Sequence, residues 1–113
     1  MPRRKKRTLA AIRKVQVQGN SLSIELPSQF YDIMKAKDSW DTVYAKIEGG
    51  KIVYRWEGSK RSVKLKIRAC VRSGRRIYYS VTIPKRFAEK IKIGKGDKVH
   101  VVLSEGEIVV SRL

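Results

Sequence analysis

The stretch YSVTIPKRFAEKIKIGKGDKV, Tyr79–Val99, sets the fold. Tyr79, Val81 and Ile83 recur at every second position, as the buried face of a strand does. Pro84 ends that strand and fixes φ for a helix start. Phe87, Ala88 and Ile91 then lie three and four apart, the apolar stripe of one short helix. Gly94-Lys95-Gly96-Asp97 turns the chain, and Val99, Val101 and Leu103 alternate as the next strand. Before the Glu105-Gly106 turn the chain is thus a strand, a helix and a strand; Ile108 and Val110 add a last strand after it.

The same order is written more weakly upstream in SLSIELPSQFYDIMKAKDSWDTV, Ser21–Val43. Leu22, Ile24 and Leu26 alternate with Ser21, Ser23 and Glu25. Pro27 closes the strand, and Phe30, Ile33 and Met34 form the stripe. Val43, Ala45 and Ile47 alternate, Gly49-Gly50 turns, and Ile52, Tyr54 and Trp56 return. Aligned, Pro27 matches Pro84, Phe30 matches Phe87, Asp41 matches Asp97, Val43 matches Val99, Gly50 matches Gly106 and Ile52 matches Ile108. A hairpin precedes each unit. In the first, Arg13–Gln18 places Val15 and Val17 on one face before the Gly19-Asn20 turn. In the second, Val63, Leu65, Ile67, Ala69 and Val71 alternate with Lys64, Lys66, Arg68, Cys70 and Arg72. One face of that strand is expected to be core, and the other to carry basic groups about 7 Å apart. Ser73–Arg76 is its turn, and Ile77 joins the inward set of the next strand. Three segments result: a basic flexible arm, 1–11; a first unit, 12–57; and a second unit, 58–113. Each unit is too small to bury a stable core alone, so the two are expected to close one barrel together.

The chain carries 27 Lys and Arg against 10 Asp and Glu, a net charge of +17 over 113 residues. Such an excess needs a polyanion to offset it. It is also uneven: the arm holds +5, the first unit only +1, and the second unit +11. The cationic work is therefore expected of the second unit and the arm, Arg3, Arg4, Lys5, Lys6 and Arg7. One cysteine, Cys70, excludes an intrachain disulfide and a multi-cysteine zinc site. His100 stands alone, and no nucleophile–base or paired-carboxylate pattern rises above background. The expectation is a protein that is not an enzyme and needs no metal or other cofactor. No apolar run reaches the roughly 18 residues of a membrane span, so no membrane partner is expected, and the expected setting is cytoplasmic and nucleoid-associated. Trp40 and Trp56 fall at strand edges, where core packing is the default and a partner-protein patch the alternative.

Arg68, Arg72, Arg75 and Arg76 are the leading contact candidates, because guanidinium forks match phosphates or guanine edges bidentately, and a two-stranded ribbon can enter a major groove. Lys64 and Lys66 suit phosphate contacts, which add affinity without sequence choice. Tyr78 is expected to face outward and Tyr79 inward; Tyr78 could stack on a base or simply pack on the sheet.

At this point the chain resembles a known family. Ile83-Pro84-Lys85 with Ile93-Gly94-Lys95-Gly96-Asp97-Lys98-Val99 looks like the signature of AbrB/SpoVT-type regulators, and VQGNSLSIELP, Val17–Pro27, resembles the MazE-like antitoxin branch of that superfamily. The resemblance covers about residues 13–56 and 66–112. It implies a mostly β fold with two short helices: a swapped-hairpin AbrB-like β-barrel, made here by two tandem hairpin–helix–hairpin units in one chain, or by a homodimer pairing like with like. Family members bind duplex DNA through basic residues on the hairpin loop and helix start. By position these are Arg75 and Arg76, with Asn20 and Ser21 in the first unit, and Lys85 and Arg86. Ser80 and Ser23 stand where the family often has a loop arginine, and Ala88 and Glu89, or Tyr31 and Asp32, where it often has basic residues.

The resulting expectation is a transcriptional regulator or nucleoid protein that contacts double-stranded DNA through the second unit's hairpin. An antitoxin-type module, with a partner protein on the first unit, and an RNA-binding protein are the alternatives. Antitoxins of this kind usually add a partner-binding tail after the barrel, whereas this sequence stops at Leu113 just after its last strand, which favours the regulator.

Overall fold

The computed structural model describes residues 8–72, 76–104 and 106–113. It holds ten strands and two helices: β1 (Leu9–Lys14), β2 (Gln16–Gln18), β3 (Ser21–Leu26), α1 (Ser28–Met34), β4 (Thr42–Glu48), β5 (Lys51–Arg55), β6 (Val63–Lys66), β7 (Arg68–Arg72), β8 (Arg76–Ile83), α2 (Lys85–Ile91), β9 (Lys98–Ser104) and β10 (Glu107–Arg112). The strands form two antiparallel sheets. One runs β1-β9-β10-β5-β4-β6 and the other β2-β3-β8-β7. Each sheet takes strands from both halves of the chain. Each order also reads alike from either end when β1 to β5 are exchanged with β6 to β10, so one half mirrors the placement of the other.

Both helices begin as the sequence dictates. Pro27 and Pro84 sit at the N-caps with φ −56° and extended ψ, just outside the helical turns. At seven residues apiece the helices are far too short to stand alone in water, and burial holds them. Phe30 and Met34 anchor α1; Phe87, Ala88 and Ile91 anchor α2. The shared core is completed by Ile24, Leu26, Val43, Ala45, Ile52, Tyr54, Val81, Ile83, Val99, Val101, Leu103, Ile108 and Val110. The turn after α2 is built by Asp97, whose carboxylate accepts the Gly94 N–H at 2.8 Å.

The two long hairpin strands differ from expectation in one respect. Neither is continuous. Arg13–Gln18 is divided at Val15, and Val63–Arg72 at Ile67. At these two points the chain passes from one sheet into the other. Val63 to Lys66 pair with β4, whereas Arg68 to Arg72 pair with β8; Leu9 to Lys14 pair with β9, whereas Gln16 to Gln18 pair with β3. Both crossing residues are buried and tied down by backbone bonds. The Val15 N–H donates to the Asp97 carbonyl and the Ile67 N–H to the Asp41 carbonyl, at 2.8 and 2.7 Å. Alternation reports extended backbone, not which neighbour it pairs with, so the crossings leave no mark in the pattern.

Beyond the crossings, the hairpin ends outrun the core. Val17 and Ile77, expected inside, are 51% and 49% exposed, and Ala69 is exposed too. Val17 and Ala69 lie on β2 and β7, the two edges of the four-stranded sheet, where no layer covers them. The arm is also shorter than 1–11: Leu9 to Ala11 open β1, opposite Leu103 to Val101. Residues 1–7 of the arm, Arg3 to Arg7 included, lie outside the described residues.

Tyr54 links the sheets. Its side chain is fully buried from β5, and its hydroxyl donates to the Thr82 carbonyl on β8 at 2.9 Å. Burial pushes its pKa well above the usual tyrosine range, so it stays a neutral donor. Tyr54→Phe keeps the packing and deletes one bond, worth about 1 kcal/mol net. The expected result is a lower urea midpoint with an unchanged slope, since the surface exposed on unfolding is the same.

Candidate nucleic-acid interface

The four-stranded sheet has two chemically distinct faces. Leu22, Ile24, Leu26, Tyr79, Val81 and Ile83 from its two central strands point into the core. The opposite face is read from the register. Gln16 stands opposite Ser23, Ser23 opposite Thr82, Glu25 opposite Ser80, Ser80 opposite Arg68, and Tyr78 opposite Cys70. Hydroxyl and amide groups therefore fill its middle, and basic positions its β7 edge. A shallow depression of about 240 Å³ runs over it, lined by Gln16, Gln18, Ser23, Glu25, Cys70, Tyr78 and Ser80 among others. Ser23 is itself only 5% exposed; the other groups of such a surface offer donors and acceptors to base edges, with cations beside them for phosphates. Glu25 is its one carboxylate among the described residues.

The ladder of β7 and β8 ends with Arg72 opposite Arg76. Arg75 lies outside the described residues. Arg68 is exposed and makes no ion pair with the described residues.

The expected basic strand face is divided by the crossing at Ile67. Lys64 and Lys66 stay on β6, at the edge of the other sheet, and Lys66 is drawn to Asp41 at 3.6 Å. The helix-start pair also separates. Lys85 lines a hollow with Gly19, Asn20, Ser21 and Lys95, beside the first hairpin turn. Arg86 faces another pocket, with Lys46, Arg61 and Lys90. Lys90 could have been found from the sequence, since residues four apart share a helix face. Lys46 and Arg61 come from distant segments and leave no local signal.

The tyrosines divide as alternation requires. Tyr79 is 8% exposed and stacks on Tyr31 with centroids 4.7 Å apart. Desolvation, then the neighbouring Tyr31 and Asp32, push its pKa up. Tyr78 is half-buried on the polar face. Trp40 meets Tyr31 and Tyr79 edge-on, and its carbonyl accepts the Trp56 indole N–H at 2.8 Å. Both tryptophans thus pack against the core. Arg55 on β5 bonds Glu48 of its own half and Glu107 of the other together, and its guanidinium holds the Glu48 carboxyl below the usual carboxylate range.

Among the described residues no helix is long and apolar enough to cross a membrane. No curated protein and no solved structure matches the chain. A family model does: antidote-toxin recognition MazE, bacterial antitoxin, over residues 79–112. That span is β8 from its fourth residue, α2, β9 and β10, the segment that carries the Ile83-Pro84 and Gly94-Lys95-Gly96-Asp97 motifs. Over residues 79–112, less than half of its length, the chain is similar to the MazE-like branch of the AbrB-type swapped-hairpin superfamily.

Proposed function

We propose that this protein binds duplex DNA as a transcriptional regulator or nucleoid protein, and that its two halves are two copies of one swapped-hairpin unit serving as a dimer within a single chain. The units are 12–57 and 58–113, the first extended back to Leu9 by β1. The observation that carries the reading is the polar outer face of the four-stranded sheet, flanked by Arg68 and by the arginine positions that close the β7–β8 ladder. The overall charge of +17 supports it. Lys85 beside the first hairpin turn and Lys64 at the edge of the other sheet add phosphate contacts away from that face, and the arm, Arg3 to Arg7, adds more.

The test is competition. Labelled duplex DNA is bound to the full chain, then displaced by unlabelled duplex or by structured RNA at several salt concentrations. Duplex is expected to compete at least tenfold better than RNA. Affinity is expected to fall steeply with salt, by about 0.9 in log–log slope for each phosphate neutralised. Better competition by RNA would replace this reading with RNA binding.

The family match over residues 79–112 supports a second reading, an antitoxin-type module, and the Val17–Pro27 resemblance would put its partner-protein contact on the first half. A toxin-like reading frame beside the gene, and its product co-purifying with the chain, would favour that role over regulation alone.

A further inference from the structure

Arg86 and Lys90 on α2, Lys46 on β4 and Arg61 in the connector between β5 and β6 converge on one pocket of about 640 Å³, walled by Ile47 and Phe87 and edged by Ser62. No carboxylate lines it. None of the four cations makes an ion pair with the described residues, and the neighbouring Glu48 is held by Arg55. Arg61 sits at φ +64°, a backbone setting that surroundings must impose on a non-glycine residue.

The fold contains its own control. Lys46 stands opposite Val53, as Val102 stands opposite Val109, so Lys46 corresponds to Val102. Val63 pairs with Ala45 as Ala11 pairs with Val101, so Arg61, two residues before Val63, corresponds to Leu9. Counting from Pro27 and Pro84, Arg86 and Lys90 correspond to Gln29 and Ile33. The related place in the other half is therefore built without a cation. The fold does not need these four charges, and gathering them without a counter-charge opposes it.

We propose that this pocket binds phosphate groups. Four positive charges match a multiply charged anion better than a single carboxylate, and two guanidinium forks with two ammonium groups and a hydroxyl suit several phosphate oxygens at once. The volume is that of a small-ligand site. The phosphates could belong to a free polyphosphate or nucleotide, or to a duplex backbone passing α2. The first source is independent of the sheet-face reading; the second rests on it.

The experiment uses the full chain, the double variant Arg61→Ala with Lys90→Ala, and a charge-matched control, Lys14→Ala with Lys98→Ala, at exposed positions elsewhere. Inorganic pyrophosphate is titrated by calorimetry and a duplex by anisotropy, with thermal unfolding confirming that all three are folded. A free-phosphate source predicts saturable pyrophosphate binding, weakened at least tenfold in the pocket variant and within twofold in the control. A backbone source predicts that duplex affinity and salt slope fall more in the pocket variant than in the control. Arg68→Ala, which leaves the pocket intact, separates failure of the sheet face from failure of the pocket. Pyrophosphate binding that survives in the pocket variant, or its absence together with duplex binding no weaker than the control's, overturns the proposal. So does stronger displacement of pyrophosphate by polyglutamate than by duplex.

Discussion

Exchanging Arg75 and Arg76 together for Ala is expected to weaken duplex binding well over tenfold at fixed salt. Each arginine that meets a base edge or phosphate bidentately is worth about 1–3 kcal/mol, and a tenfold change needs only about 1.4 kcal/mol. These positions follow Gly74 in the sequence; Arg75 lies outside the described residues, and Arg76 opens β8 opposite Arg72. Loss of two phosphate contacts would also lower the log–log salt slope by roughly 1.8. Anisotropy titrations at four salt concentrations give both quantities. A large loss of affinity with an unchanged slope would assign these arginines to bases rather than phosphates. Unchanged affinity would remove the hairpin from the DNA surface.

Phe30→Ala is expected to be the most damaging single change to the fold. The ring is 1% exposed, and α1, only seven residues long, has Met34 as its other buried anchor. Truncating a buried phenylalanine costs about 3–5 kcal/mol, a large share of the roughly 5–15 kcal/mol that a domain possesses. The melting temperature should drop by about 15 °C, read by circular dichroism. Phe87, its counterpart on α2, is 8% exposed and walls the basic pocket. Its truncation leaves a space that water can enter, so the smaller loss is expected there. Equal losses would show that the two helices are anchored alike in spite of the pocket.

What could be read from the sequence was local. Pro27 and Pro84, the Phe30–Met34 and Phe87–Ile91 stripes and the Asp97 turn each depend on residues within a few positions, and all are found where their spacing puts them. The placement of Ser21, Glu25 and Tyr78 away from the core followed from alternation alone, whereas Ser23 on the same face is 5% exposed. The crossings at Val15 and Ile67 did not, because an extended chain keeps the same period whichever sheet it joins. β1 was hidden for a different reason. Leu9-Ala10-Ala11-Ile12 has too little contrast between its faces to register as alternation, and it becomes a strand by pairing with β9, some ninety residues away. The basic pocket draws on three segments separated in sequence, so no window could contain it.

The interleaving of the two sheets has a topological consequence. Because β9 lies beside β1, β10 beside β5, β6 beside β4 and β3 beside β8, neither half can complete either sheet without the other. The stretch from Trp56 to Ser62 then acts as a tether that raises the local concentration of one half around the other. A chain nicked there would become a pair of complementary fragments whose folding is a bimolecular event, with a stability that rises with their concentration.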